Sequence, residues 1–201
     1  FGEITLYSTH MFPATTVLSN TTNRIFVTPL GTNGQGYATS LTKTETNLKE
    51  CGRIPSGQAY DVYGVATQVI GANAATTIQD LPFNDATATV QTLQNVVNNG
   101  VLSWDFTQTV VDICPVMLAG AGGGVFGAIS QNAAGANSGA MNNGNGGIWM
   151  YRKHPVALPG NTTFAVLIQF GTRTAAVPAG FSVAIRVVLL GYYKSVIEIG
   201  A

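Results

Sequence analysis

Residues 154–194 constrain the fold more than any other part of the chain. They hold a Pro/Gly/Asn turn, an apolar run from Phe164 to Phe170, a second turn region, and another apolar run from Phe181 to Leu190. Both runs have strand length, and their Val, Ile and Phe content suits a pleated surface bounded by Gly and Pro. Neither alternates strictly between apolar and polar, which puts at least one of them between layers that cover both its faces. Neither carries an evident catalytic group.

The segments before them read the same way. Arg24 to Leu30 (RIFVTPL) has strand composition and is followed by the turn-rich GTNGQG. From Gln58, QAYDVYGVATQVIG alternates, with Tyr60, Val62, Gly64 and Ala66 expected on one face and Asp61, Tyr63, Val65 and Thr67 on the other. Asp85 to Gly100 is the one helical pattern. Asn84 or Asp85 stands at its start, Val90, Leu93, Val96 and Val97 recur at helical spacing, and Gly100 stands at its end. Val101–Phe106 and Thr109–Leu118 are strand-like, and Pro115 marks an edge, end or bulge in the second. Such strands with frequent turns are the arithmetic of an all-β sandwich. The expected fold is a jelly-roll β-sandwich of about eight strands, with one short helix and long Gly/Asn-rich loops. Residues 1–56 are expected as an N-terminal arm with the first strand or strands, packed on the main domain or a neighbour. Residues 57–201 are expected as the jelly-roll domain itself.

Charge is scarce. Only 9% of the residues are charged, nine basic and nine acidic, against a usual share of about a quarter. Five charged side chains concentrate in one short segment: Lys43, Glu45, Lys49, Glu50 and Arg53. Between Asp112 and Arg152 there is none, and that stretch is largely Gly, Ala, Asn and Ser. A long loop of this kind is costly to order and cannot fill a core. With 46% hydrophobic residues and a neutral polar remainder, the chain suits burial of surface against neighbouring subunits. Sequence-independent nucleic-acid binding needs many phosphate contacts, and the only basic pair is Arg152–Lys153. No apolar stretch approaches the length of a membrane-spanning helix.

Motifs for chemistry fail on context. Gly122–Gly127 satisfies G-x-G-x-x-G, yet an Asn/Gly-rich stretch follows it and the next acid is Glu198, far beyond the spacing of a dinucleotide site. The two histidines, His10 and His154, have no G-x-S-x-G serine to serve. With Cys51 and Cys114 they are too scattered to show a metal-ligand spacing. Both cysteines are expected as free thiols of the small-core-residue kind. Two Asn-x-Thr sequons stand at Asn20 and Asn161, and the second falls in a turn whose Asn and Gly are explained by backbone geometry. No catalytic residue, cofactor or metal is assigned, and the chain is read as a non-enzyme.

Three passages carry a resemblance: ETNLKECGRIPSGQAYDVYGV (45–65), LQNVVNNGVLSWDFTQTVVDICPVMLAGAGGGVFG (93–127), and HPVALPGNTTFAVLIQFG with FSVAIRVVLLGYYKSV. Taken together they resemble the jelly-roll capsid proteins of icosahedral tailless phages, over roughly three-quarters of the chain. The family's larger members carry two jelly rolls, and 201 residues hold only one. The resemblance implies self-assembly into trimeric or hexameric capsomers and an icosahedral virion shell, from subunits made in the host cytoplasm. It implies contacts with other copies, with minor capsid or spike proteins, and with an internal membrane in some designs, and no direct contact with nucleic acid. Charge scarcity then selects the seam residues: Lys43, Glu45, Lys49, Glu50 and Arg53 at one seam, Arg152, Lys153 and Arg173 at another. The alternative is a virion spike, decoration or lectin-like receptor-binding sandwich, with Trp104, Trp149, Tyr151, Tyr192 and Tyr193 as stacking platforms. A fibre or pilus subunit is a third reading.

Overall fold

A computed structural model describes residues 2–72, 95–106, 109–120, 125–126, 129–131, 137–139, 142–143, 147–179 and 182–195. Two antiparallel sheets pack face to face. The first contains β1 (Gly2–Phe12), β3 (Gln58–Ala72), β10 (Trp149–Met150), β11 (Val156–Leu158) and β13 (Ser182–Ser195). The second contains β2 (Thr22–Ile25), β4 (Gly100–Phe106), β5 (Thr109–Pro115) and β12 (Ala165–Phe170). Two small ribbons, β6 (Val125–Phe126) with β9 (Asn142–Asn143) and β7 (Ile129–Gln131) with β8 (Asn137–Gly139), stand in the Gly/Asn-rich stretch.

The strand orders are β1-β13-β3-β10, with β11 also on β3, and β2-β12-β4-β5. Counting β10 and β11 as one interrupted strand gives eight principal strands, ordered 1-8-3-6 and 2-7-4-5. Every connection between principal strands except β4–β5 crosses from one sheet to the other. That is the wiring of a jelly roll, and the chain is an all-β jelly-roll sandwich. Residues 1–56 contribute β1 to one sheet and β2 to the other. Three connections meet at one end, where Val177 exchanges backbone hydrogen bonds with the Thr15–Thr16 turn (3.0 and 2.9 Å) and the Asn95 amide donates to the Ala175 carbonyl. At the other end the 26–57 connection meets the β11–β12 turn, with Phe164 N–H donating to Gly52 O at 2.7 Å.

The two apolar runs are the middles of the two sheets. β12 lies between β2 and β4, and five of its six residues are buried, which explains its lack of alternation. β13 lies between β1 and β3; Val183, Ile185, Val187 and Leu189 face the core, while Arg186, Val188 and Leu190 are half-buried on the opposite face. One continuous core joins these to Phe12, Ile25, Tyr60, Leu102, Trp104, Phe164 and Ile168.

Three local expectations change. The strand expected over 24–30 stops at Ile25, because Phe26 turns the chain with φ of 70°. The face assignment of β3 holds for Tyr60 and Val62 and then inverts. A register shift opposite Leu190/Gly191 inserts Tyr63 as an extra residue, so Val65, Thr67 and Val69 are buried in its wake. Gly191 is required there: a Cβ would lie 2.5 Å from Asp61 O and 2.6 Å from the Tyr60 ring. The helix expected over 85–100 is described only at its end, 95–99, where Val96 and Val97 are buried; its earlier residues lie outside the described ones.

Candidate functional site

The charged segment 43–53 belongs to the long connection from β2 to β3, which folds back along β1. As an edge strand, β1 has a free row of backbone groups. Residues 35–47 of the same chain occupy that row. Met11 N–H donates to Gln35 O (2.8 Å), and the Gln35 amide donates to Thr9 O (2.7 Å) and Ser8 Oγ (2.8 Å). Further along, Asn47 accepts from Tyr7 N–H (2.9 Å), gives its side-chain amide to Thr5 O (2.7 Å) and its backbone N–H to Tyr7 O (3.2 Å). On the outer face of the sheet, Met11, Tyr37 and Leu41 form a small second core. Gly36, with φ of 82°, permits this approach, since a Cβ there would overlap the Met11 carbonyl at 1.8 Å.

Arg186 fastens the fold-back. From the outer face of β13 it donates to Thr44 O (2.6 Å), Gln68 Oε1 (3.2 Å) and Thr9 Oγ1 (3.2 Å), and its guanidinium lies 5.8 Å from the Tyr7 ring centre. Glu45 closes its own turn, accepting from Thr42 N–H and hydroxyl and offering its carbonyl to Thr9. Glu50 and Arg53 pair with each other at 2.6 Å, while Lys43 and Lys49 stay exposed. The five residues are thus on one continuous surface segment, with Glu45 and Glu50 already serving local structure.

The second set is divided. Arg152 and Lys153 are exposed on the two-strand interruption between β10 and β11, beside Asp112 and Ile113 of β5, around a cleft of about 750 Å³. Arg173 is exposed in the Gly171–Thr174 turn, at the end where the β1–β2 and β12–β13 connections meet. A smaller apolar groove of about 400 Å³ opens between β1 and the 48–55 segment, walled by Ile4, Leu6, Leu48, Ile54 and Tyr193 with Lys49 at its rim.

The titratable groups are largely structural. Burial pulls the His10 ring down to about 4, and it pushes the Cys114 thiol up to about 11. The Tyr60 hydroxyl is raised by the same cause and donates to Leu189 O at 2.8 Å and to Ile4 O. Cys51 and Cys114 are unpaired, and Cys51, against expectation, is exposed, its thiol directed to Val27 O. Among the described residues no group of three His, Cys, Asp or Glu side chains could hold a metal ion. Both sequon asparagines, Asn20 and Asn161, have left-handed backbone angles (φ 55° and 65°), the turn geometry that the sequence suggested for Asn161. Of the candidate stacking aromatics, Trp104 is buried and donates to Tyr151 hydroxyl at 2.7 Å. Trp149, Tyr151 and Tyr193 pack on the core. Only Tyr192 is well exposed, 5.1 Å from the Tyr63 ring.

The apolar surface that sequence reading missed is on β5 and its surroundings. Val110, Val111, Met117, Leu118, Ile148 and Met150 make up six of the ten large hydrophobics exposed among the described residues. Pro115 in TVVDICPVML marked an edge, end or bulge, and β5 is an edge strand with a bulge at Ile113; composition alone did not show which of its apolar residues stay exposed. No protein-family model, no curated protein and no solved structure matches the chain.

Proposed function

We propose that this chain is a shell-building subunit: a capsid protein of the tailless-phage jelly-roll type, whose copies associate laterally into capsomers and then into an icosahedral virion. The observation that carries the proposal is the strand order, 1-8-3-6 over 2-7-4-5, in a chain whose surface is poor in charge. Such a sandwich leaves edges and loops free for contact, and symmetric self-association is the common use of that kind of surface. The few charges set register between copies more than affinity. Lys43, Lys49, Glu50 and Arg53 are exposed or half-exposed along one such contact, and Arg152, Lys153 and Arg173 stand at others. In this reading the few basic residues serve contacts between copies, and the packaged nucleic acid is left to another layer, a lining protein or an internal membrane.

The test is sedimentation and negative-stain microscopy of the purified protein across a dilution series. Closed particles, or flat arrays of trimers or hexamers, are the expected outcome. A monomer at every concentration sinks the reading, and helical polymers replace it with a fibre subunit. Among the described residues the lectin-like alternative retains the exposed Tyr192, beside the half-buried Tyr63, as a platform. Glycan binding by a discrete small oligomer favours it instead. Charge reversal at Glu50 or Arg53 should lower particle yield while the isolated subunit stays folded.

A further inference from the structure

The four edges of the two sheets are treated differently. The β1 edge is covered by the chain itself through Gln35 and Asn47. The β2 edge is only four residues long, and the β10/β11 edge is interrupted at residues 151–155. The β5 edge is left over: seven residues, hydrogen-bonded on one side to β4 and, among the described residues, to nothing on the other. A bulge at Ile113 and the ring of Pro115 protect its far half, so the open part is Thr109–Asp112, all four residues exposed.

An open edge in a monomer is normally blunted with lysine, proline or an inward charge. Here it carries Val110 (54% exposed) and Val111 (49% exposed), one on each face of the sheet. It continues into Met117 and Leu118, and across the cleft stand Ile148 and Met150. An unpaired strand backbone asks for another extended strand as its occupant. The same side also presents both signs of charge, Asp112 on β5 and Arg152 and Lys153 across the cleft. A surface that is apolar at its centre and carries both signs at its rim complements itself.

We propose that two copies of this chain meet along β5, antiparallel and about a two-fold axis, joining their four-stranded sheets into one eight-stranded sheet. A two-fold normal to the sheet makes one residue face its own counterpart. Centring it on Val110 or Val111 keeps Asp112 from opposing Asp112 of the second copy, which would be unfavourable. The inference shares with the shell reading only the premise that copies touch, and it names the first contact they make.

The experiment compares the wild type with V110K/V111K, with V110T/V111T as a milder second variant and V17K as an exposed control elsewhere; folding is monitored by circular dichroism. Sedimentation over a concentration series gives the assembly threshold, and hydrogen exchange gives protection of the 109–112 amides. Expected are a threshold at least about tenfold higher in the β5 variants, no change in V17K, and, within 109–112, protection of the amides that point away from β4 in the associated wild type only. Particles forming at an unchanged threshold in both β5 variants overturn the inference and leave the shell reading standing. Two-fold dimers with protected β5 amides but no particles support the inference and sink the shell. A wild type that is monomeric throughout overturns both.

Discussion

Acid should weaken this fold through one ring. His10 stands on β1 with its imidazole 4.8 Å from the Phe12 ring, hydrogen-bonded to the backbone of Arg24 on the opposite sheet. Its Nδ1 is buried and unpartnered, so a second proton would place a charge in an apolar seam between the sheets. The folded chain therefore titrates this ring at about 4, and the unfolded chain at its ordinary 6.5. Between those values the unfolded state binds the proton and the folded state does not. Stability is complete above about pH 6.5, falls as pH is lowered through the window, and loses nothing further from this group below about pH 4. A tenfold difference in proton affinity is worth about 1.4 kcal/mol, so the loss amounts to about 3 kcal/mol at the bottom of the window, roughly half of it by pH 5.5. Urea denaturation of wild type and His10→Gln at a series of pH values isolates the effect. The ion pairs of Asp61, Asp105 and Glu50 are common to both chains. The wild type should lose about 3 kcal/mol more than the variant by pH 4. Parallel loss in the two chains, or an NMR titration placing His10 at its ordinary value, refutes the reasoning.

Other perturbations read the remaining features. Gln35→Ala removes a buried side chain that bonds Ser8, Thr9, Val27 and Thr28, and should cost about 3 kcal/mol or more. For a domain of this size that lowers the melting temperature by about 6 °C or more by calorimetry. Arg186→Met should cost about 2 kcal/mol and, more tellingly, speed hydrogen exchange at residues 42–48 while leaving the core amides alone; Lys in its place should not restore the three-way bonding. Gly191→Ala drives a methyl group against the Asp61 carbonyl and the Tyr60 ring and should lower the urea midpoint by the equivalent of about 3 kcal/mol. Phe164→Ala, in the core beside Phe26 and Trp104, should cost about 3–5 kcal/mol in the same assay.

What could be read from the sequence follows from how local each feature is. β12 was legible because it is buried on both faces and drops the alternation that an exposed face would impose, and β13 because its half-buried outer face also carries apolar residues, Val188 and Leu190. β1 was not, because its core side carries Ser8 and His10 among Leu6 and Phe12, so the apolar period is broken where the strand is most buried. β3 was legible as a strand and misassigned beyond Tyr63, since one bulged residue inverts every face after it. The charged cluster at 43–53 was visible as a cluster. Its backbone neighbours were not, because Asn47 and Gln35 find their partners across a fold-back that no spacing rule encodes. β5 was legible as a strand that Pro115 puts at an edge, end or bulge, but which of its apolar side chains stay exposed depends on the layers around it.

The pairing of β1 with β13 bears on when the subunit can become itself. Residues 2–12 find their partners at 183–193, so β1 waits for β13 before the first sheet can close. The ribosome must have passed residue 195 before β13 is complete, and until then β1 and β3 both lack the strand that stands between them. Closure therefore waits for the synthesis of β13 and is dominated by distant pairings, of the kind that folds in milliseconds to seconds. During that interval the apolar faces of β3 and β12 are without their sheet partners or cover. A chain of this topology depends on its concentration, and on whatever holds it in that interval, before any contact between finished copies can begin.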